Sequence, residues 1–255
     1  MIIILEKLQK FVIIKKEKGA DYEKIYNSGG GRNLGSTLAF TLAEVLITLG
    51  IIGVVAALTI PTLIQNHKKH VIEVKLKTFY TIMNQAVQKS ELDYGDKSTW
   101  NDTGGILNFG AIKANPNLTD EQFFEKYLAP NLTVIDHKKI PQPGIADFQL
   151  DTYTLKNGLQ FSMYDCGAIY WLFTDTKTQK ILGKNAFTFG FIPRIEEGHK
   201  NLWIYHENKG IEPFAYGFTN SYEYNMNMCK KNNKYCGKLI QMNNWKIPKD
   251  YPIRF

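Results

Sequence analysis

One carboxylate stands where it most needs a partner. Glu44 is the single charge in the run from Phe40 to Ile64, FTLAEVLITLGIIGVVAALTIPTLI. An ionisable group inside such an apolar helix costs a few kcal/mol on insertion and is usually paired. A cation at about 4 Å, with an effective dielectric of about 20, contributes on the order of 4 kcal/mol before desolvation, enough to set a register between neighbouring helices. Other reactive residues are sparse. His67 and His70 share a helix face at spacing three with no acid placed to complete a metal site, so they read as a solvated face. Cys166, Cys229 and Cys236 form no CxxC and no Cys/His cluster, and one bridge plus one thiol is the most they allow. Cys166, in an expected strand, reads as a small core residue. Gly29 to Gly31 follow no strand and precede no Lys-Ser or Lys-Thr, so they make no phosphate loop. No GxSxG, HExxH or pair of facing carboxylates stands out. No catalytic residue, metal ligand or cofactor is assigned, and the chain is expected not to be an enzyme.

The elements that position Glu44 are legible from periodicity. Residues 40–64 make a helix of roughly 37 Å, long enough to span a bilayer. Gly50, Gly53, Ala56 and Ala57 place small residues at helical spacing, which suits close packing against another helix in lipid. Pro61 is expected to kink or locally melt this helix. Beyond Gln65 the chain turns polar. Ile72, Leu76, Phe79, Met83 and Ala86 then recur at alternating steps of four and three, an amphipathic continuation over 65–92 that ends near Glu91, before the turn residues Asp93 to Asp96. Residues 93–255 read as a globular α+β domain. Thr119 and Gln122 form a capping box for a short helix over 120–128, closed by Pro130. Phe148 to Leu155 and Leu159 to Tyr164 flank Lys156-Asn157-Gly158 as a hairpin, and Ala168 to Thr174 and Ala186 to Ile192 are further strands. Strands are expected to dominate this part and to form a small antiparallel sheet on the outer half of the long helix.

Composition narrows the function classes. With 255 residues, 44% hydrophobic and 22% charged, the chain is globular, not disordered. Its net charge of +7 is spread without blocks, so a dedicated nucleic-acid binder is not indicated. Residues 1–39 hold seven basic and four acidic residues and only short apolar patches, so they read as a leader and not as a conventional secretory signal.

The run Ala39-Phe40-Thr41-Leu42-Ala43-Glu44, at the head of an apolar helix behind a basic leader, resembles the processing site of type IV pilins and type II secretion pseudopilins. That resemblance implies a pilin-like α+β fold, cleavage between Ala39 and Phe40 by prepilin peptidase, and methylation of the new amine. Ala39 stands where the family usually has Gly. Glu44 matches the family's acidic residue, whose partner is the amine of a neighbouring subunit, and Pro61 matches its helix-bending proline. The family often closes its C-terminal region with a disulfide, which on this sequence would join Cys229 and Cys236 and contribute roughly 2 to 3 kcal/mol. A pseudopilin calcium loop is faintly similar around Asp175, but one carboxylate is too few for a hard cation and a polar turn is expected.

The resemblance therefore implies a structural subunit of a type IV pilus-like fibre or a type II secretion pseudopilus, single-pass in the cytoplasmic membrane, with the leader inside and the sheet domain outside. Its partners would be prepilin peptidase, other pilin-like subunits in a homo- or hetero-polymer, an inner-membrane assembly platform driven by a separate ATPase, and membrane lipid. Charge alone argues the other way: Lys24 and Arg32 lie within about twenty residues on the leader side, against Lys68, Lys69, Lys75 and Lys77 on the far flank. One alternative is a DNA-uptake or adhesive minor pilin; the 24 basic against 19 acidic residues after Ile64 allow nucleic acid without requiring it. A single-pass anchored domain that never assembles is the more distant one.

Overall fold

The computed structural model describes residues 41–100, 119–142, 145–165, 167–175, 177–195, 200–217 and 221–255. The chain divides into two units, residues 1–52 and 53–255. The leader, the Ala39-Phe40 pair and Cys166 lie outside the described residues.

Helix α1 runs from Leu42 to Tyr94 with Pro61 inside it. The helix does not melt at Pro61; a proline there removes one donor and leaves the flanking backbone bonds to carry the turn. It ends three residues later than the periodicity indicated. Gly95 stops it in the left-handed region at φ +77°, its N–H returning to the Glu91 carbonyl at 3.0 Å. Ile72, Leu76, Phe79, Met83, Ala86, Val87 and Ser90 are its buried residues, a single stripe at helical spacing.

Thr119 caps α2 (Asp120–Phe123): its hydroxyl accepts from Gln122 N–H at 3.2 Å, and the Gln122 side chain accepts from Thr119 N–H at 2.9 Å. A π-helical turn, Phe124–Leu128, continues it, and a 3₁₀ turn, Ala129–Asn131, closes it.

Six strands follow, antiparallel throughout and paired in chain order: β1 (Val134–Gln142), β2 (Ile145–Leu155), β3 (Gln160–Tyr164), β4 (Ile169–Phe173), β5 (Ala186–Gly190) and β6 (Glu212–Pro213). The turn at Lys156 to Gly158 has the expected hairpin chemistry, with Gly158 at φ +80°. Side chains alternate along the strands. Tyr153, Phe161, Met163, Tyr170, Leu172, Phe187 and Phe189 join the stripe of α1 in one core, and Phe79 lies 5.5 Å from Phe161 and 4.8 Å from Phe189 between ring centroids. On the opposite face Leu150, Trp171, Phe173 and Ala186 form a second cluster. The sheet is buried on both sides at its centre.

Two departures from the sequence expectations concern element type. Strand β1 arises from a stretch with Lys138, Lys139 and a proline, too polar to announce itself, and its composition suits the sheet edge it occupies. Strands do not dominate to the end of the chain. Helix α3 (Lys200–Trp203) precedes β6, and α4 (Tyr222–Lys231), capped by Ser221, and α5 (Cys236–Met242) follow it. Each is short, and α4 is rich in Asn and Lys, so the apolar period is faint. The tail beyond α5 returns to α1: Glu73 accepts from Lys246 Nζ at 2.9 Å and from Ile247 N–H at 2.8 Å.

Candidate functional site

The head of α1 forms a second capping box, Thr41-x-x-Glu44. Glu44 Oε2 accepts from Thr41 N–H at 3.1 Å and from the Thr41 hydroxyl at 3.0 Å, and Glu44 N–H donates to Thr41 Oγ1 at 3.3 Å. The carboxylate that looked as though it required a cation therefore already holds donors from its own chain. The Thr-x-x-Glu spacing is the signal that reading by charge alone passed over.

Behind that head the apolar stretch is bare. Leu42 is 78% exposed and Leu58 74%, and Leu46, Ile47, Ile52, Val54 and Leu63 are exposed with them. This is one helix long and apolar enough to cross a membrane. A Cβ added at Gly50 or Gly53 would meet nothing within 4 Å, and neither glycine has a positive φ. Among the described residues nothing requires either of them to be glycine.

The remaining expected residues are placed as follows. Cys229 and Cys236 are joined as a disulfide with Cα atoms 4.6 Å apart, both fully buried against Met226 and Leu239, and the bridge ties α4 to α5. Asp175 sits in a polar turn, Oδ1 accepting from Lys177 N–H at 2.9 Å and Oδ2 from the Thr178 hydroxyl at 2.7 Å. Those bonds hold its carboxyl below the usual range. His70 has an acid neighbour after all, Glu73 at 3.8 Å, one helical turn on. Among the described residues no group of three or more His, Cys, Asp or Glu side chains could hold a metal ion.

Two shallow clefts lie beside the β2–β3 turn, one lined by Ile82, Leu132, Leu155 and Asn157, the other by His70, Val74, Thr78 and Leu159.

The most elaborate polar cluster was not legible in the sequence. Glu212 on β6 accepts from the Tyr80 hydroxyl of α1 at 2.9 Å, from the Tyr205 hydroxyl at 2.7 Å and from Gln241 Nε2 of α5 at 2.8 Å. Lys238 Nζ donates to Tyr205 OH and to Gln241 Oε1, each at 2.8 Å. Burial, reinforced by Glu212, pushes the Tyr80 hydroxyl up to about 12; burial, opposed by Glu212, brings Lys238 down to about 8. Tyr80 lies 132 positions from Glu212, and Gln241 and Lys238 lie 29 and 33 positions from Glu212 and Tyr205, so no local spacing could announce the cluster as a whole. The cluster is closed on itself, and its chemistry is that of a buried clamp between α1, the sheet edge and α5. His206 is fully buried beside it, accepts from Ala215 N–H at 3.3 Å, and is pushed by burial down to about 3.

Comparison with curated proteins and with solved structures gives no match. Residues 62–255, roughly three quarters of the chain and beginning at the end of its apolar stretch, match the model of a family described as a family of unknown function (DUF6613), and the chain belongs to that family.

Proposed function

We propose that this chain is a pilin-like structural subunit, inserted through residues 40–64, cut between Ala39 and Phe40 by prepilin peptidase, methylated at the new amine, and assembled through α1 into a type IV pilus-like fibre or a type II secretion pseudopilus. The leader faces the cytoplasm and residues 93–255 the exterior. The chain performs no chemistry of its own.

The observation that carries this reading is the division of labour along α1. Its second half is packed on a sheet, whereas its first half presents apolar side chains all round. An ordinary anchor needs the apolar length but not the glycines. Gly50 and Gly53 each disfavour the helix by about 1 kcal/mol relative to Ala, and among the described residues no turn or contact offsets that cost. Close approach of another helix in lipid supplies a reason for them.

Mass spectrometry of the protein recovered from membranes of its native host tests the proposal. A mature chain beginning at N-methylated Phe40 is expected. A chain still beginning at Met1, with active peptidase present, would overturn the reading in favour of an anchored domain that never assembles.

A further inference from the structure

The lysines that flank the apolar stretch on its outer side remain unexplained by assembly. We infer that the end of the outer domain nearest the apolar stretch is a basic collar that binds anionic lipid headgroups. The inference rests on the membrane-spanning part of the function proposed above.

Its basis is where the C-terminal tail lands. At 1.5 Å per residue, Lys68 and Lys69 lie about 6 to 8 Å beyond Ile64, the last residue of the apolar stretch, which is the depth of a headgroup layer. The tail comes back to this level. Lys69 Nζ sits 5.8 Å from the centroid of the Phe255 ring, and Phe255 stacks on Tyr251 at 5.6 Å. Lys246 and the Ile247 backbone anchor the tail on Glu73, about 13 Å beyond Ile64. Arg254 and Lys249, on the same stretch, are exposed, as is Lys68. An aromatic ring among basic side chains at this depth is the pattern of a membrane interface.

Charge here is one-sided. Residues 65–75 and 245–255 hold six Lys or Arg against two acidic residues. Glu73 is engaged by the tail, and Asp250 accepts from the Tyr222 hydroxyl at 2.8 Å. Each basic side chain within a Debye length of an anionic leaflet strengthens attachment several-fold. An anionic surface therefore fits this collar, and a neutral one offers it nothing.

The test uses the full chain reconstituted in vesicles of phosphatidylcholine, or of phosphatidylcholine with about one third phosphatidylglycerol, separated by flotation. Brief lysine acetylation is then read site by site by mass spectrometry. Lys89, exposed on α1 about 37 Å beyond Ile64, is the internal reference. Acetylation of Lys68 and Lys249 is expected to slow by at least about threefold in the anionic vesicles, with Lys89 unchanged, and to recover in about 0.5 M salt, where screening is short-ranged. In the Lys68→Gln, Lys69→Gln, Arg254→Gln variant the protection of Lys249 is expected to fall. Equal rates in both vesicles, with the chain floating in both, would overturn the collar and leave the spanning helix intact. A chain that floats with neither overturns the membrane reading and the collar with it.

Discussion

The two halves of α1 share one backbone conformation and face two different surroundings. From Leu42 to Ile64 the large apolar side chains point in every direction and are exposed, whereas from Gln65 to Tyr94 a single stripe is buried and Val74, Leu92 and Tyr94 lie exposed outside it. A helix apolar all round has no preferred side to bury within its own domain, so it is suited to lipid or to like helices; a helix apolar on one stripe has a defined side for a sheet. What distinguishes the halves is both the amount and the placement of apolar surface: the first carries a single charge, Glu44, whereas the second is largely polar apart from its stripe.

The contrast breaks most visibly by truncation. Phe79→Ala removes a fully buried ring wedged between Phe161 and Phe189 and is expected to destabilise the outer domain by about 3 to 5 kcal/mol. Leu49→Ala, at a residue 59% exposed, is expected to stay within about 0.5 kcal/mol. Urea unfolding of the full chain in detergent, followed by tryptophan fluorescence, compares them. Equal losses would mean that the apolar half is also part of the folded core.

Acid sharpens the comparison, because a buried His206 belongs to the sheet side alone. Its folded pKa is depressed to about 3 from an ordinary 6.5, so the native state holds it neutral while the unfolded chain takes up a proton below about pH 6.5. Its contribution is therefore complete above pH 6.5 and declines as pH falls through 6.5 towards 3, by at most about 1.4 kcal/mol per unit. At pH 4.5 the loss is on the order of 2 to 3 kcal/mol. His206→Gln retains an acceptor for Ala215 N–H and should flatten urea midpoints measured between pH 7 and 4.5 by about one proton. An unchanged slope in the variant would remove His206 as the cause.

Legibility followed the same division. The long helix, its stripe, the Thr119 capping box and four of the six strands were readable because periods of 3.6 and 2 and the Asn157-Gly158 turn are local signals. The edge strand β1 was hidden by Lys138 and Lys139, and α4 by its asparagines, since an exposed element needs little apolar surface. The clamp of Tyr80, Tyr205, Glu212, Lys238 and Gln241 was invisible because hydrogen bonds between distant residues leave no mark on spacing. At the head of α1 the sequence carried two signals on one residue: the charge of Glu44 and, three residues before it, Thr41, which makes the same carboxylate part of a cap.

The Cys229–Cys236 bridge gives the next effect in size. It spans a sequence separation of 7, and removing it by paired Cys→Ala substitution is expected to cost about 2.5 kcal/mol in the chain-entropy account. The same loss should appear on reduction, measured by urea midpoint with and without a thiol reductant. The bridge belongs wholly to the sheet side, so partition of the chain into vesicles should not change.

The smallest effect separates the two roles of Glu44. As a cap, its carboxyl oxygen needs only to accept from Thr41, which a Gln oxygen also does, and losing the cap costs about 1 kcal/mol of local helix stability. As a charge paired with a neighbouring amine, only the carboxylate serves. Thr41→Val and Glu44→Ala should therefore both speed amide exchange over residues 43–46 by about fivefold in detergent, whereas Glu44→Gln should leave it near the parent rate. Fibre yield in the native host should order the variants differently, with Glu44→Gln falling as far as Glu44→Ala and Thr41→Val retaining most of its assembly. If Glu44→Gln assembles normally, the carboxylate is only a cap, and the two halves of α1 differ in what they bury without any charge to fix how the first half meets its neighbours.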